Sequence, residues 1–150
     1  MVTPTLKGVK GVKGVQVKPG AVTSGGANAR TGTGAAGMAA EDLALAWLQQ
    51  RGLALVRRNY RVARGPGARG GEIDLILRDA DGTLVFCEVR ARANARHGGA
   101  AATVGAAKQR ALVFAAQHFL LTLRQIPPCR FDVLAIDDGH VEWLRGAFDA

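Results

Sequence analysis

The stretch GGEIDLILRDADGTLVFCEVRAR, residues 70–92, decides the fold of this chain. Its two short apolar segments flank a turn-like run at residues 79–82, which is typical of a β-hairpin. Each segment carries an acidic residue, Asp74 in the first and Glu88 in the second, where a core strand would carry Val or Ile. Because a buried carboxylate without a partner is costly, this pair points to a bound cation.

The turn decides whether the two carboxylates meet. A two-residue turn would place Asp74 and Glu88 on opposite faces of the sheet. A three-residue loop over residues 80–82, with Gly82 in the left-handed position after a type I turn, makes them cross-strand neighbours. The sequence fits this second register, in which the two Cβ atoms lie about 5 Å apart.

A divalent cation suits such a pair. Two carboxylates this close raise each other's pKa unless a cation lies between them. Mg²⁺ or Mn²⁺ binds one or two carboxylates and retains waters that a phosphate can displace. Arg90, on the same face as Glu88, would then hold the phosphate or stabilise transition-state charge. The alternative is that Glu88 pairs with Arg90 or Arg92 on a solvated face, and residue spacing alone leaves both interpretations open.

Length and composition limit the class of protein. The 150 residues suffice for one domain with a hydrophobic core. No apolar stretch approaches the roughly 20 residues of a membrane span, and no signal-peptide pattern is present, so we expect a cytoplasmic protein. Cys87 and Cys129 belong to no C-x-x-C pair, which predicts two reduced thiols. The net charge of +8 favours an anionic partner, most naturally nucleic acid.

The first 36 residues differ from the rest and predict a disordered, basic, Gly/Ala/Lys-rich tail. Its basic residues, which no acidic residue accompanies, are Lys7, Lys10, Lys13, Lys18 and Arg30. The tail is either an arm that holds the phosphate backbone or a dispensable extension, with Met38 nearer the working start.

Beyond the tail, the pattern predicts a mixed sheet flanked by helices, of the α/β or α+β kind. Helices are expected from Met38 to Gly52 and over about residues 104–123, and a loop at residues 64–71. Strands are expected over residues 53–62 (broken near Asn59), 72–78, 84–92, 130–136 and 141–144. Alternation predicts one sheet face with Ile73, Leu75 and Leu77, and the other with Glu72, Asp74 and Ile76. The apolar periodicity of the second helix runs through Ala107, Ala111, Phe114, Ala115, Phe119 and Leu123.

The runs GGEIDLI, VFCEVRAR, HGGAAATVGAAKQR and CRFDVLAI, followed by VEWL and AF, together resemble the bacterial YraN family. The resemblance covers roughly residues 37–148 and leaves the basic tail outside. It implies a restriction-endonuclease-like domain over residues 37–150, related to archaeal Holliday junction resolvases. Such a domain is a three-layer αβα structure with a mixed central β-sheet.

The resemblance also implies the roles of individual residues. The superfamily signature is an Asp on one strand and Asp/Glu-x-Lys on the next, so Asp74, Glu88 and the backbone carbonyl of Val89 would hold Mg²⁺ or Mn²⁺. Glu41 of the first helix would approach the same metal, or it is simply an exposed helix residue. The Lys position is occupied by Arg90, which stays charged near pH 7 and is therefore a poor general base. The expected nucleic-acid-binding side chains are Arg90, Arg92 and Lys108.

Three functions follow as hypotheses. The first is a Mg²⁺- or Mn²⁺-dependent endonuclease that acts on DNA rather than RNA, on branched or single-stranded structures. The second is a non-catalytic nucleic-acid-binding module on the same scaffold, and the third is a protein-interaction subunit. Resolvase-type activity on a two-fold junction would require a homodimer.

Overall fold

The computed structural model describes residues 32–92 and 104–150, the side chains of residues 32, 33 and 92 excepted. Its elements are α1 (Gly32–Gln49), β1 (Ala54–Val62), β2 (Gly71–Arg78), β3 (Leu84–Arg92), α2 (Ala106–Leu120), β4 (Cys129–Asp137) and β5 (His140–Phe148). The predicted order of helices and strands is confirmed. The first helix begins at Gly32 rather than near Met38. Most of the predicted tail and the segment at residues 93–103 lie outside the described residues.

The five strands form one mixed sheet in the order β1-β2-β3-β4-β5. Strands β3 and β4 pair parallel, and the other neighbouring strands pair antiparallel. A parallel pair requires a long crossover connection, and α2 lies within it. The described residues therefore confirm a mixed α/β architecture.

The two helices cover opposite faces of the sheet, and each face has its own hydrophobic core. On the α1 face, Trp47 packs edge-on against Trp143 with ring centroids 5.7 Å apart. On the α2 face, Phe119 packs against Phe86 at 6.2 Å. Burying each such side chain stabilises the fold by about 1.5–3 kcal/mol. Among the described helices, none has the length and apolar character needed to cross a membrane.

The hairpin between β2 and β3 has the predicted register. Leu75 pairs with Cys87, and the pairing continues without a shift to Arg78 and Leu84. At the turn, Gly82 has a φ of 88°, the left-handed conformation expected after a type I turn. The three-residue loop over residues 80–82 is thus confirmed, and the regular pairing ends at Leu75 and Cys87, next to Asp74 and Glu88.

Strict alternation along β2 was a wrong expectation. Leu75 packs in the α1-side core, whereas Ile73, two residues earlier, packs in the α2-side core. The change of face occurs at Asp74, and the residue opposite it on β1 is Asn59, which has a φ of 48°. Asparagine tolerates this left-handed conformation better than most residues. The irregularity leaves Asp74 outside the regular inward and outward alternation of the strand.

Candidate functional site

The carboxylate of Asp74 is held beside β3 by a backbone contact. The N–H of Val89 donates a hydrogen bond of 2.8 Å to Oδ2 of Asp74. This contact lies just beyond the last paired residues of the hairpin, Leu75 and Cys87. It continues the connection between β2 and β3 through a side chain, and it orients the Asp74 carboxylate towards Glu88.

The pair is recessed rather than solvated. Glu88 is only 6% exposed, and Asp74 is half-buried. Burial, followed by the charge of Asp74, raises the pKa of Glu88 to about 7. Burial is also the largest cause of the raised pKa of Asp74. Glu88 therefore does not lie on a solvated face, although its ion pair with Arg90, which the alternative interpretation expected, is present at 4.0 Å.

Two basic side chains approach Glu88. Lys108 of α2 places its Nζ 3.2 Å from Oε2, and Arg90 places its Nε 4.0 Å from Oε1. Within the described part of the chain, Oε2 of Glu88 is held by the ion pair with Lys108, a contact whose geometry falls short of a regular hydrogen bond. Arg92 ends β3, and its side chain lies outside the described residues. The structure thus brings Asp74, Glu88, Arg90 and Lys108 together.

Gly71 explains how Lys108 reaches this position, and the neighbouring Gly70 lies equally close to β1. A Cβ atom on Gly71 would collide with the carbonyl oxygen of Ala111 and would lie 2.9 Å from the Cβ of Ala115. A Cβ atom on Gly70 would collide with the carbonyl oxygen of Val62. Only glycine allows α2 to approach β2 this closely. The sequence shows the Gly70-Gly71 pair, but it does not show which helix packs against it.

Glu41 occupies a different environment. Its nearest basic partner is Arg58 of β1 at 3.6 Å, and its Oε2 is buried without a hydrogen bond among the described residues. Glu41 also adds, with Asp74, to the raised pKa of Arg61, for which the hydrogen bond from Arg61 to Glu72 is the largest cause. No three His, Cys, Asp or Glu side chains form a metal-binding group in residues 32–92 and 104–150. Glu41 as a third metal ligand stays a prediction.

The donor set of the pair nevertheless fits a hard divalent cation. Two oxygen ligands at raised pKa, one of them with an oxygen that lacks a hydrogen bond, form a site where added positive charge is favourable. Mg²⁺ commonly binds through one or two carboxylates and completes its shell with water and phosphate oxygens. A third protein ligand is therefore not required, and the predicted role of the Val89 carbonyl remains a prediction.

A second buried carboxylate, Asp132 of β4, is fully engaged. It accepts hydrogen bonds from Nε of Arg130 at 3.0 and 3.1 Å, from Nε1 of Trp143 at 3.0 Å and from the N–H of Gly146 at 2.9 Å. Arg130 also pairs with Asp79 of the hairpin turn at 2.8 Å. Asp132 and Arg130 are thus structural partners, and the network joins β4 and β5 to the turn.

Comparison with other proteins identifies the family. Residues 40–136 match the family described as "Uncharacterised protein family UPF0102". The chain belongs to the UPF0102 family. A UPF0102 protein of Methylibium petroleiphilum is 63% identical over 118 residues, which cover 79% of this chain and 97% of that protein. A UPF0102 protein of Paracidovorax citrulli is 61% identical over 126 residues, which cover 84% of this chain and 91% of its own length. The expected membership in this family, the YraN-like one, is thus confirmed.

Proposed function

We propose that this UPF0102 protein is a divalent-metal-dependent endonuclease that hydrolyses phosphodiester bonds in branched or single-stranded DNA. The observation that carries the proposal is the recessed pair of carboxylates, Asp74 and Glu88, with an oxygen that lacks a hydrogen bond and two basic side chains beside it. A restriction-endonuclease-like fold, which the sequence resemblance implies, is consistent with a sheet that carries this pair on adjacent strands.

Each residue has a role that its position supports. Asp74 and Glu88 would hold Mg²⁺ or Mn²⁺, which supplies positive charge for the phosphate and lowers the pKa of a bound water. The hydrogen bond from Val89 holds the Asp74 carboxylate in place at 2.8 Å. Arg90 and Lys108, both partly exposed, provide positive charge for phosphate oxygens at the mouth of the site. Arg90 would stabilise charge rather than remove a proton, because a guanidinium is a poor general base.

The experiment that tests this proposal compares isosteric variants of the pair. Four-way-junction, single-stranded and duplex DNA are incubated with the protein and Mg²⁺ or Mn²⁺, beside the Asp74→Asn, Glu88→Gln double variant. Glu72→Gln serves as the matched control, because Glu72 lies on the same strand but pairs with Arg61 at the surface. We expect the double variant to lose cleavage by about 10³-fold or more, and Glu72→Gln to retain it. Equal residual cleavage by wild type and double variant would indicate a contaminant and reject the enzyme.

The presence of Arg90 at the position of the motif lysine favours one second candidate, a nucleic-acid-binding module without catalysis. This module would bind DNA with a salt-dependent affinity that survives the loss of both carboxylates. Absence of cleavage with retained binding would select it. For an activity on a two-fold junction the protein must dimerise, and mass measurement of the free and junction-bound protein tests that requirement.

A further inference from the structure

A basic groove lies next to the carboxylate pair. It has a volume of about 920 Å³ and runs between the loop that joins β1 to β2 and the side of α2. Its basic lining residues are Arg64, Arg69, Lys108 and Arg110, against a single acidic one, Asp149. Lys108 belongs both to this lining and to the pair, because its Nζ lies 3.2 Å from Glu88. Lys108 therefore connects the groove with the candidate metal site.

The arginines of the groove, which lie in a loop and on α2, differ in their ion pairing from most arginines of the sheet. Within residues 32–92 and 104–150, Arg64, Arg69 and Arg110 have no ion-pair partner, and all three are exposed. By contrast, Arg58 and Arg130 are held by carboxylates at 2.7–2.8 Å. Three exposed arginines without an ion-pair partner therefore lie along one surface, together with Lys108, and this pattern suits a phosphate-binding track.

An aromatic ring lies in the same groove. Phe114 follows the apolar periodicity of α2, yet it is absent from the α2-side core and lines the groove with partial exposure. The guanidinium carbon of Arg64 lies 4.5 Å from the centre of its ring. Ala107, Arg110, Phe114 and Gln117 are spaced three or four residues apart, so they form one stripe along the helix.

We propose that this groove binds single-stranded nucleic acid, with its phosphates on the arginines and a base stacked on Phe114, and leads the strand to Asp74 and Glu88. The inference rests on the proposed function and adds the substrate class and the residues that recognise it. Aromatic and arginine planes beside a basic groove are the general means by which proteins bind single strands.

Two observations favour a single strand over a duplex. First, Glu88 is only 6% exposed, so a phosphate must enter a recess, which a flexible strand does more readily than a rigid double helix. Second, a base face is free to stack on Phe114 only when it is unpaired and unstacked. An intact duplex would meet the arginines but would leave the ring unused.

Binding in EDTA tests the groove without any cleavage. The probes are a fluorescein-labelled 12-nucleotide DNA, the RNA of the same sequence and the corresponding duplex, measured by anisotropy over a range of salt concentrations. The charge variant is Arg69→Gln with Arg110→Gln, and the ring variant is Phe114→Leu. The matched control is Arg57→Gln with Arg124→Gln, which removes the same charge from exposed positions outside the groove.

We expect the charge variant to bind the single strand about tenfold more weakly and to reduce its salt slope by about 1.4, which is roughly 0.7 for each lost phosphate contact. Phe114→Leu should weaken single-strand binding at least about fivefold and leave the salt slope unchanged. The control pair should change both quantities little. If the affinities for DNA and RNA are similar, the groove contacts the phosphates and the base faces. If one of the two binds more tightly, the groove also contacts the sugar.

Two results would overturn the inference: a loss of affinity as large in the control pair, or duplex binding that is tighter than single-strand binding and unaffected by Phe114→Leu. The proposed endonuclease can fail separately. If the protein binds single strands in the groove but Asp74→Asn changes no cleavage, only the enzyme is rejected. If cleavage depends on Asp74 while the groove variants bind normally, only the groove is rejected.

Discussion

Two buried carboxylates lie on opposite faces of the same sheet, and their surroundings differ. Asp132, on the α1 face, accepts hydrogen bonds at both oxygens from Arg130, Trp143 and Gly146. Glu88, on the α2 face, has the ammonium of Lys108 at 3.2 Å but an oxygen that accepts no hydrogen bond from the described residues. Both sites carry a burial cost that raises the pKa of the carboxyl group.

The difference shows what each carboxylate contributes. At Asp132 the fold itself supplies hydrogen-bond donors to both oxygens, and these donors offset part of the cost of burial. At Glu88 the fold offsets less of the cost of burying the carboxylate, and a ligand with positive charge can offset more of it. Perturbed carboxylates of this second kind are concentrated at functional sites. The following predictions test this difference between the two carboxylates, in order of decreasing expected effect.

Removal of Asp132 should have the largest effect. Asp132→Ala leaves the buried Arg130 with Asp79 as its remaining carboxylate partner, and it leaves the N–H groups of Trp143 and Gly146 without their acceptor. Removing one partner of a buried ion pair costs about 3–5 kcal/mol of unfolding free energy. Urea unfolding monitored by tryptophan fluorescence measures the loss. Asp74→Ala on the other face is the comparison and should lose much less. A loss below about 1 kcal/mol for Asp132→Ala would contradict the structural role assigned to the network.

Substitution of Glu88 should raise the free energy of unfolding, which is the opposite of the effect expected for Asp132. The pKa of Glu88 is raised to about 7 in the folded protein from an ordinary value of 4.5, so the folded protein binds more protons than the unfolded chain between these values. Stability from this group is therefore complete below about pH 4.5 and is lost as the pH rises through 7. Glu88→Gln, which is neutral at every pH, should be stabilised by up to about 3 kcal/mol at pH 8.

The measurement for Glu88 is the free energy of unfolding at pH 5, 6.5 and 8, without added metal. The advantage of Glu88→Gln over wild type should grow with pH and be smallest at pH 5. Glu72→Gln, at the surface, provides the matched control and should show no such trend. An advantage that stays constant across this range would show that the ionised Glu88 carboxylate is not destabilising.

Removal of the Lys108 charge should change the affinity for metal, and the change in free energy should be smaller than those expected for Asp132→Ala and Glu88→Gln. Its ammonium lies 3.2 Å from Glu88 and competes with a cation for the same oxygen. Lys108→Gln should therefore bind Mn²⁺ about fivefold more tightly, which corresponds to a screened interaction of about 1 kcal/mol. Calorimetric titration at pH 8.5, where Glu88 is ionised, measures this change. Arg110→Gln loses the same charge on the same helix without contacting Glu88, and an equal gain there would point to general electrostatics instead.

The smallest effect is expected at the margin of the Asp132 network. Arg145 donates to Asp79 at 3.0 Å but is 30% exposed, and the buried Arg130 holds the same oxygen. Arg145→Gln should lose only about 0.5–1 kcal/mol, since a solvated partner contributes little where a buried one remains. Thermal unfolding is a sufficient measurement. A loss as large as that of Asp132→Ala would mean that the network has no internal redundancy.

Local chemistry made much of the hairpin predictable. A three-residue loop with Gly82 in the left-handed position admits one register, and this register brings Asp74 and Glu88 next to the last regular pair, Leu75 and Cys87. Arg130 and Asp132 meet for a similarly local reason, because residues two apart on a strand share a face. The face change at Asp74 was not predictable, since it involves Asn59 on a neighbouring strand.

The sequence by itself determined the mixed α/β pattern, the hairpin register and the pair of acidic residues, because turns and periodicity depend on neighbours along the chain. Only the tertiary structure decided that Lys108 reaches Glu88, that Phe114 leaves the core, and that unpaired arginines line one groove. These features depend on how closely α2 approaches the sheet at Gly71. That distance is set by packing between segments far apart in sequence, which no local pattern encodes.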